Sequence, residues 1–195
     1  MILEIVKQFN WLDVFILLFI VRMIYIGART GFFIELFKLV GIVFTIYISF
    51  HYYTLLGDFV KDRYAPETVP IDFLDFFIFV FLAVAVYLIF VLLRNVVFHF
   101  IKMETVPLLS KWGGLFLGIL RGVFTISLII YVFAISCMPY LITSAQRSYL
   151  GPRLLNISVT TYTRIWDGTM SKFNLNEKIN NVVLENQKNF FNEAD

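Results

Sequence analysis

The stretch FFIFVFLAVAVYLIFVLL, from Phe76 to Leu93, is 18 residues long and carries no charged side chain. A helix rises about 1.5 Å per residue, so about 20 such residues cross the roughly 30 Å hydrocarbon core of a bilayer. A helix that is apolar on every face has no side to offer to water, and one of this length reads as a membrane span. Acids stand before it, at Asp72 and Asp75, and Arg94 closes it. Composition agrees: 59% of the 195 residues are hydrophobic and 15% are charged, against about 45–50% and about 25% in soluble domains. One core of this size cannot bury that apolar excess, so the lipid bilayer is the first partner implied. A net charge of +2 with no basic patch or stripe gives no argument for nucleic acid. The single cysteine, Cys137, excludes an intramolecular disulfide and a cysteine-based zinc site.

Working outward, the same reasoning finds four spans, at about Trp11 to Ile26, Phe32 to Tyr53, Phe73 to Phe98 and Leu115 to Met138. The fold class is therefore all-α integral membrane, with four transmembrane helices plus a C-terminal amphipathic helix. Residues 1–140 form the four-span bundle and residues 141–195 a membrane-associated amphipathic helical tail. In the first span Asp13 and Arg22 flank only eight uncharged residues. It crosses if Asp13 sits at one interface and Arg22 snorkels to the other. Glu4 and Asp13 precede its apolar run and no small-residue cleavage site follows, which argues against a cleavable signal peptide.

The ends of the spans are readable too. Asn10 is a candidate cap for the first helix with Asp13 three residues on, and Asp72 for the third with Asp75 three residues on. Both place carboxylates at the positive end of a helix dipole. GARTG, Gly27 to Gly31, turns the first span into the second as a tight hairpin, and Ser110 can cap the fourth. Basic residues near the two short loops number seven (Arg22, Arg29, Lys38, Arg94, Lys102, Lys111, Arg121), against five on the other side (Lys7, Lys61, Arg63, Arg147, Arg153). Positive charge favours the cytoplasm, which puts both short loops there and both termini outside.

After Pro139 the pattern changes. Gly151-Pro152 suits the start of a new helix. Leu155, Val159, Tyr162, Trp166, Met170 and Phe173 then recur at helical spacing, with Arg153, Arg164 and Lys172 around them. This stripe reads as an amphipathic helix on the membrane surface or on the bundle. A small soluble helix that packs on itself is the alternative. NLNEKINNVVLENQKNFFNEAD, from Asn174, reads as a second short polar helix with a frayed tail.

GGLFLGILRG, Gly113 to Gly122, joins two features that are costly in other settings. Gly114, Gly118 and Gly122 recur every fourth residue, and Arg121 stands beside the last. In lipid, backbone hydrogen bonds are hard to break and glycine lets a second helix approach closely. The face serves either packing inside one bundle or self-association around a pore. Gly27 and Gly31 share the spacing but are assigned to the turn. Arg22, Arg29, Glu35, Lys38 and Arg121 form a charge cluster at the cytoplasmic side, and Glu35 is the only acid of that set inside a span. It is expected to pair with Lys38, Arg121 or Arg22, unless the cations instead snorkel to lipid phosphates. Spans one and three open alike (NWLD, DFLD), and spans two and four share VFTI, as a duplicated hairpin would.

There is no HExxH, no GxSxG and no P-loop. His51 and His99 fall near opposite membrane faces, and Cys137 has no histidine partner in view. No enzyme, no metal site and no cofactor is expected.

FNWLD (Phe9 to Asp13), GARTGFFIELFKLVG (Gly27 to Gly41) and KWGGLFLGILRG (Lys111 to Gly122) together resemble the colicin V production protein (CvpA) family of bacterial inner-membrane proteins. Arg29, Gly31, Phe32 and Glu35 match that family's Arg-x-Gly-Phe-x-x-Glu stretch. Gly114, Gly118, Arg121 and Gly122 match its Gly-x-x-x-Gly-x-x-Arg-Gly segment. The resemblance covers about residues 9 to 155. Lys111-Trp112 departs from it, standing where an aspartate-arginine pair is expected. The resemblance implies a multi-pass inner-membrane protein tied to toxin production or export and to envelope homeostasis, acting through contacts with itself or another envelope protein. Some members carry a serine protease domain after span four; these residues hold no such motif, so no protease activity carries over. The competing class is a small oligomeric channel or transporter component, built on the glycine face of span four.

Overall fold

The computed structural model describes residues 10–64, 69–100, 107–173 and 177–192. Glu4, Lys7, Phe9 and Lys102, and the side chain of Phe173, lie outside what it describes. The described residues form helices and no strand: α1 Trp11–Thr30, α2 Phe32–Tyr64, α3 Ile71–Phe100, α4 Pro107–Ala134, α5 Pro139–Arg147, α6 Gly151–Ile165 and α7 Asn181–Asn192. A π-helical turn, Trp166–Met170, and a last turn, Ser171–Phe173, carry α6 onward. The first four helices are long and apolar enough to cross a membrane.

Two boundaries differ from the sequence reading. The second span does not stop at Tyr53 but runs to Tyr64 as one helix of 33 residues. That is about 50 Å, well beyond the hydrocarbon core, so its polar end projects on the side where the chain leaves α4. The fourth helix begins at Pro107, placing Ser110 inside its first turn rather than at a cap, and it ends at Ala134. Proline at the first helical position loses no hydrogen bond there.

In cross-section the order is α1–α4–α2–α3, with α4 and α2 central. The first hairpin is thus joined at Gly31 but not packed as a pair, because α1 lies on α4 and hardly touches α2. Likewise α3 lies on α2 and hardly touches α4. Exchanging the two hairpins turns each strong pairing into the other, as a duplicated hairpin requires. Gly31 makes the turn with φ of +85°, which L side chains avoid, and Ser110 Oγ would lie 2.5 Å from any Cβ there.

The tail packs on the projecting end of the bundle. Leu155, Val159, Tyr162 and Trp166 are buried against α4 and α2, and Met170 is half-buried. Of the two places read for this stripe, the membrane surface and the bundle, it takes the second: α4 and the Tyr47, Phe50 and His51 side of α2 cover it. Ser127 of α4 donates to Leu154 O, and Ser158 donates to Leu155 O at 2.9 Å. Val183 and Phe190 anchor α7 in the same core.

Candidate functional site

The closest helix contact positions the charges. Gly114, Gly118 and Gly122 all face α1, and Gly27 faces them from the last turn of α1. A Cβ on Gly27 would overlap the backbone oxygen of Gly114 and lie 2.9 Å from Gly118 Cα. Gly27 thus belongs to the packing face and not to the turn, since α1 stays helical to Thr30. Backbones meet here as small-xxx-small faces allow.

Beside this contact lies Glu35, fully buried in the first turn of α2. Three helices reach its carboxylate. Lys38 Nζ donates to Oε1 at 2.6 Å, Arg121 Nε of α4 stands 3.0 Å from Oε2, and Thr30 Oγ1 of α1 donates to Oε1. The Arg121 contact is ionic without hydrogen-bond alignment, leaving Glu35 Oε2 and Arg121 Nε each without a directed partner among the described residues. A second Arg121 nitrogen, Nη2, rests 3.2 Å from Met23 Sδ of α1. The glycine face draws α1 in, and Arg121, next to it on α4, is carried to Glu35.

Two members of the expected cluster are elsewhere. Arg22 and Arg29 are exposed, and Arg29 sits 4.5 Å over the Tyr25 ring. At 3.6 residues per turn they stand about 140° and about 200° round α1 from Gly27. The face turned toward α4 is therefore not theirs.

At the other end Asp13 does more than cap. The capping box forms, with Asn10 N donating to Asp13 Oδ2 at 2.9 Å and Trp11 N donating to Asn10 Oδ1 at 2.7 Å. The buried carboxylate also accepts from Ser148 Oγ at 2.7 Å, Tyr149 N at 3.2 Å and Leu150 N at 2.9 Å. Asp13 therefore pins the α5–α6 corner to the start of α1. Nothing in the sequence paired residues 13 and 148, which lie 135 positions apart. Asp13→Ala is expected to cost about 3 kcal/mol, because buried donors lose a charged acceptor. Limited proteolysis should then cut between Ile135 and Leu150 at least ~10-fold faster; cleavage at the wild-type rate would refute this role for Asp13.

Asp72 lies within α3, in its first turn, and is not its cap, because the helix begins one residue earlier. Asp75 presses on Gly57 of α2 with Oδ1 buried and lacking a hydrogen-bond partner among the described residues. Both line a cavity of about 440 Å³ with Tyr53, Ser136 and Asn186.

His51, given no role by the sequence, is buried at the centre of the tail contact. Its ring stacks on Trp166 and Tyr47 with centroids 5.1 and 5.5 Å away. Tyr162 OH accepts from Asn180 N at 2.9 Å, which leaves its own proton for His51 Nδ1 at 3.1 Å. Burial pushes the Tyr162 hydroxyl up to about 12, so that proton stays in place. In the neutral ring this assigns the hydrogen to Nε2, which points to Glu177 Oε2 at 3.1 Å. Asn180 Nδ2 completes the node by donating to Phe50 O at 2.8 Å. Apart from the Tyr47 stack, four residues away on the same helix, these partners of His51 are distant in sequence and no local pattern announces them. Among the described residues no group of three His, Cys, Asp or Glu side chains could hold a metal ion.

A family model described as Colicin V production protein matches residues 12–159. No curated protein and no solved structure matches the chain.

Proposed function

Because the chain belongs to the colicin V production protein family, we propose that it is an inner-membrane accessory protein in toxin production or export and envelope homeostasis. It works through protein contacts and not through catalysis. Both termini and the α5–α7 cap lie on the periplasmic side in this reading. The observation that carries it is where the polar groups go. Glu35, Arg121, Asp13 and His51 are each engaged by neighbours within the chain. They hold the bundle and its cap in one arrangement and offer no reactive constellation. The glycine face, on which a self-assembled pore would depend, is occupied by α1. The cap is the part left to meet a partner.

The test is the mass and composition of the complex. A tagged chain at native expression level is extracted into native lipid discs and weighed. The expected result is a second envelope protein in fixed stoichiometry. A homo-oligomer with no foreign chain would overturn the proposal and turn attention to flux.

A further inference from the structure

Since α3 and α4 barely touch, a groove of about 370 Å³ runs between them over α2. Ile42 and Thr45 form its floor, Ala83 and Val84 one wall, and Leu128 and Val132 the other. Val84 is exposed at its edge, so the groove opens sideways at the level of the apolar spans. A helix with its side chains is about 10 Å across, so this volume would admit only ~5 Å of one. An extended hydrocarbon chain fits such a slot; a helix of a second copy does not.

The inner end of the groove is basic. Each groove-facing stripe runs at helical spacing into a cation: Thr45, Ile42 and Lys38 on α2; Val84, Tyr87 and Arg94 on α3; Leu128, Thr125 and Arg121 on α4. Tyr87 lines both the groove and a small recess farther in, whose wall includes Lys38 and Arg94. Lys38 lies within electrostatic range of both Arg94 and Arg121. Glu35 neutralises one of these three charges. Among the described residues Arg94 donates only to the neutral Asn95 Oδ1, at 2.9 Å from Nη2 and 3.3 Å from Nε. An apolar slot open to lipid and ending in excess positive charge complements a lipid with a hydrocarbon tail and an anionic head.

We propose that the α2–α3–α4 groove is a binding site for one anionic phospholipid, with an acyl chain along Ile42, Val84 and Leu128 and its phosphate at Arg94 and Lys38. Native mass spectrometry of the detergent-purified full chain tests this with phosphatidylglycerol and phosphatidylcholine of identical acyl chains. The expected result is retention of one lipid with about a ten-fold preference for phosphatidylglycerol, since a charge-assisted contact is of that order. Arg94→Gln should bring the two lipids to parity, and Arg94→Lys should keep the preference. Val84→Phe, which fills the slot from its exposed edge, should lower retention of both. All three variants lie at accessible positions and must elute as the wild type does. Equal retention of both lipids by the wild type would overturn the proposal. So would an Arg94→Gln chain that keeps the preference, a Val84→Phe chain that keeps its lipid, or a dimer whose formation displaces lipid.

Discussion

Glu35→Gln is expected to lower the unfolding free energy by about 3–5 kcal/mol, although it changes only one atom. The carboxylate is fully buried, and its partners Lys38 and Arg121 have side chains only 10% and 6% exposed. Forming a buried ion pair from solvated charges gains little, because desolvation consumes most of the attraction. Removing one partner is costly, because the remaining charge cannot return to water. Here two cations are left on one neutral amide. Arg121 cannot shed its proton, so its charge stays. Thr30, which donates to Glu35 Oε1, also loses a charged acceptor and with it a tie from α1 to α2. The measurement is denaturant-induced unfolding in mixed micelles, followed by tryptophan fluorescence. A double-mutant cycle with Arg121→Gln should show at least ~1.5 kcal/mol of coupling, within the range seen for residues in one ionic network. A Glu35→Gln chain within ~0.5 kcal/mol of the wild type would mean that lipid or water, not protein, neutralises these cations.

What could be read from the sequence divides by distance along the chain. The four spans are legible because an uncharged run such as Phe76–Leu93 has one physical use. The Asn10–Asp13 box is legible because its partners are three residues apart. The stripe from Leu155 to Trp166 is legible as an apolar face, but what covers it is not. The wall that buries it comes from α4 and from Tyr47, Phe50 and His51 of α2, residues that hydropathy alone counts as part of a lipid-facing span. Asp13 with Ser148, and His51 with Tyr162 and Glu177, were invisible for the same reason: each joins elements more than 100 residues apart. The charge cluster was half legible. Glu35 and Lys38 share a face by spacing alone, whereas the choice of Arg121 over Arg22 depends on which side of α1 meets α4.

That side is set by glycine, and the expected ranking of glycine substitutions follows from which atoms an added methyl would meet. Gly27→Ala and Gly114→Ala should be the most damaging, at about 3 kcal/mol each, the upper end for overpacking. Their methyl groups would strike backbone, the oxygens of Gly114 and Gly27 respectively, and backbone yields only if the helices separate. Gly118→Ala should follow, with Met23 O at 2.9 Å and Gly27 Cα at 3.1 Å. Gly122→Ala meets the Met23 side chain, Cβ at 3.1 Å, which needs to move only a few tenths of an ångström, and should cost about 1 kcal/mol or less. Gly168→Ala meets nothing within 4 Å and should be neutral or slightly stabilising, because alanine forms helix better. Unfolding midpoints of the five variants in one detergent test the order. Equal midpoints for Gly27→Ala and Gly122→Ala would show that α1 and α4 do not approach along this face. The ranking also connects to the ion pair. Separating α1 from α4 moves Met23 and Thr30 away from Arg121 and Glu35. Gly27→Ala combined with Glu35→Gln should therefore cost less than the sum of the two, by about 1 kcal/mol or more. Strict additivity would mean that the glycine contact and the buried charges act independently, and that the proximity of Gly122 to Arg121 in the chain has no energetic consequence.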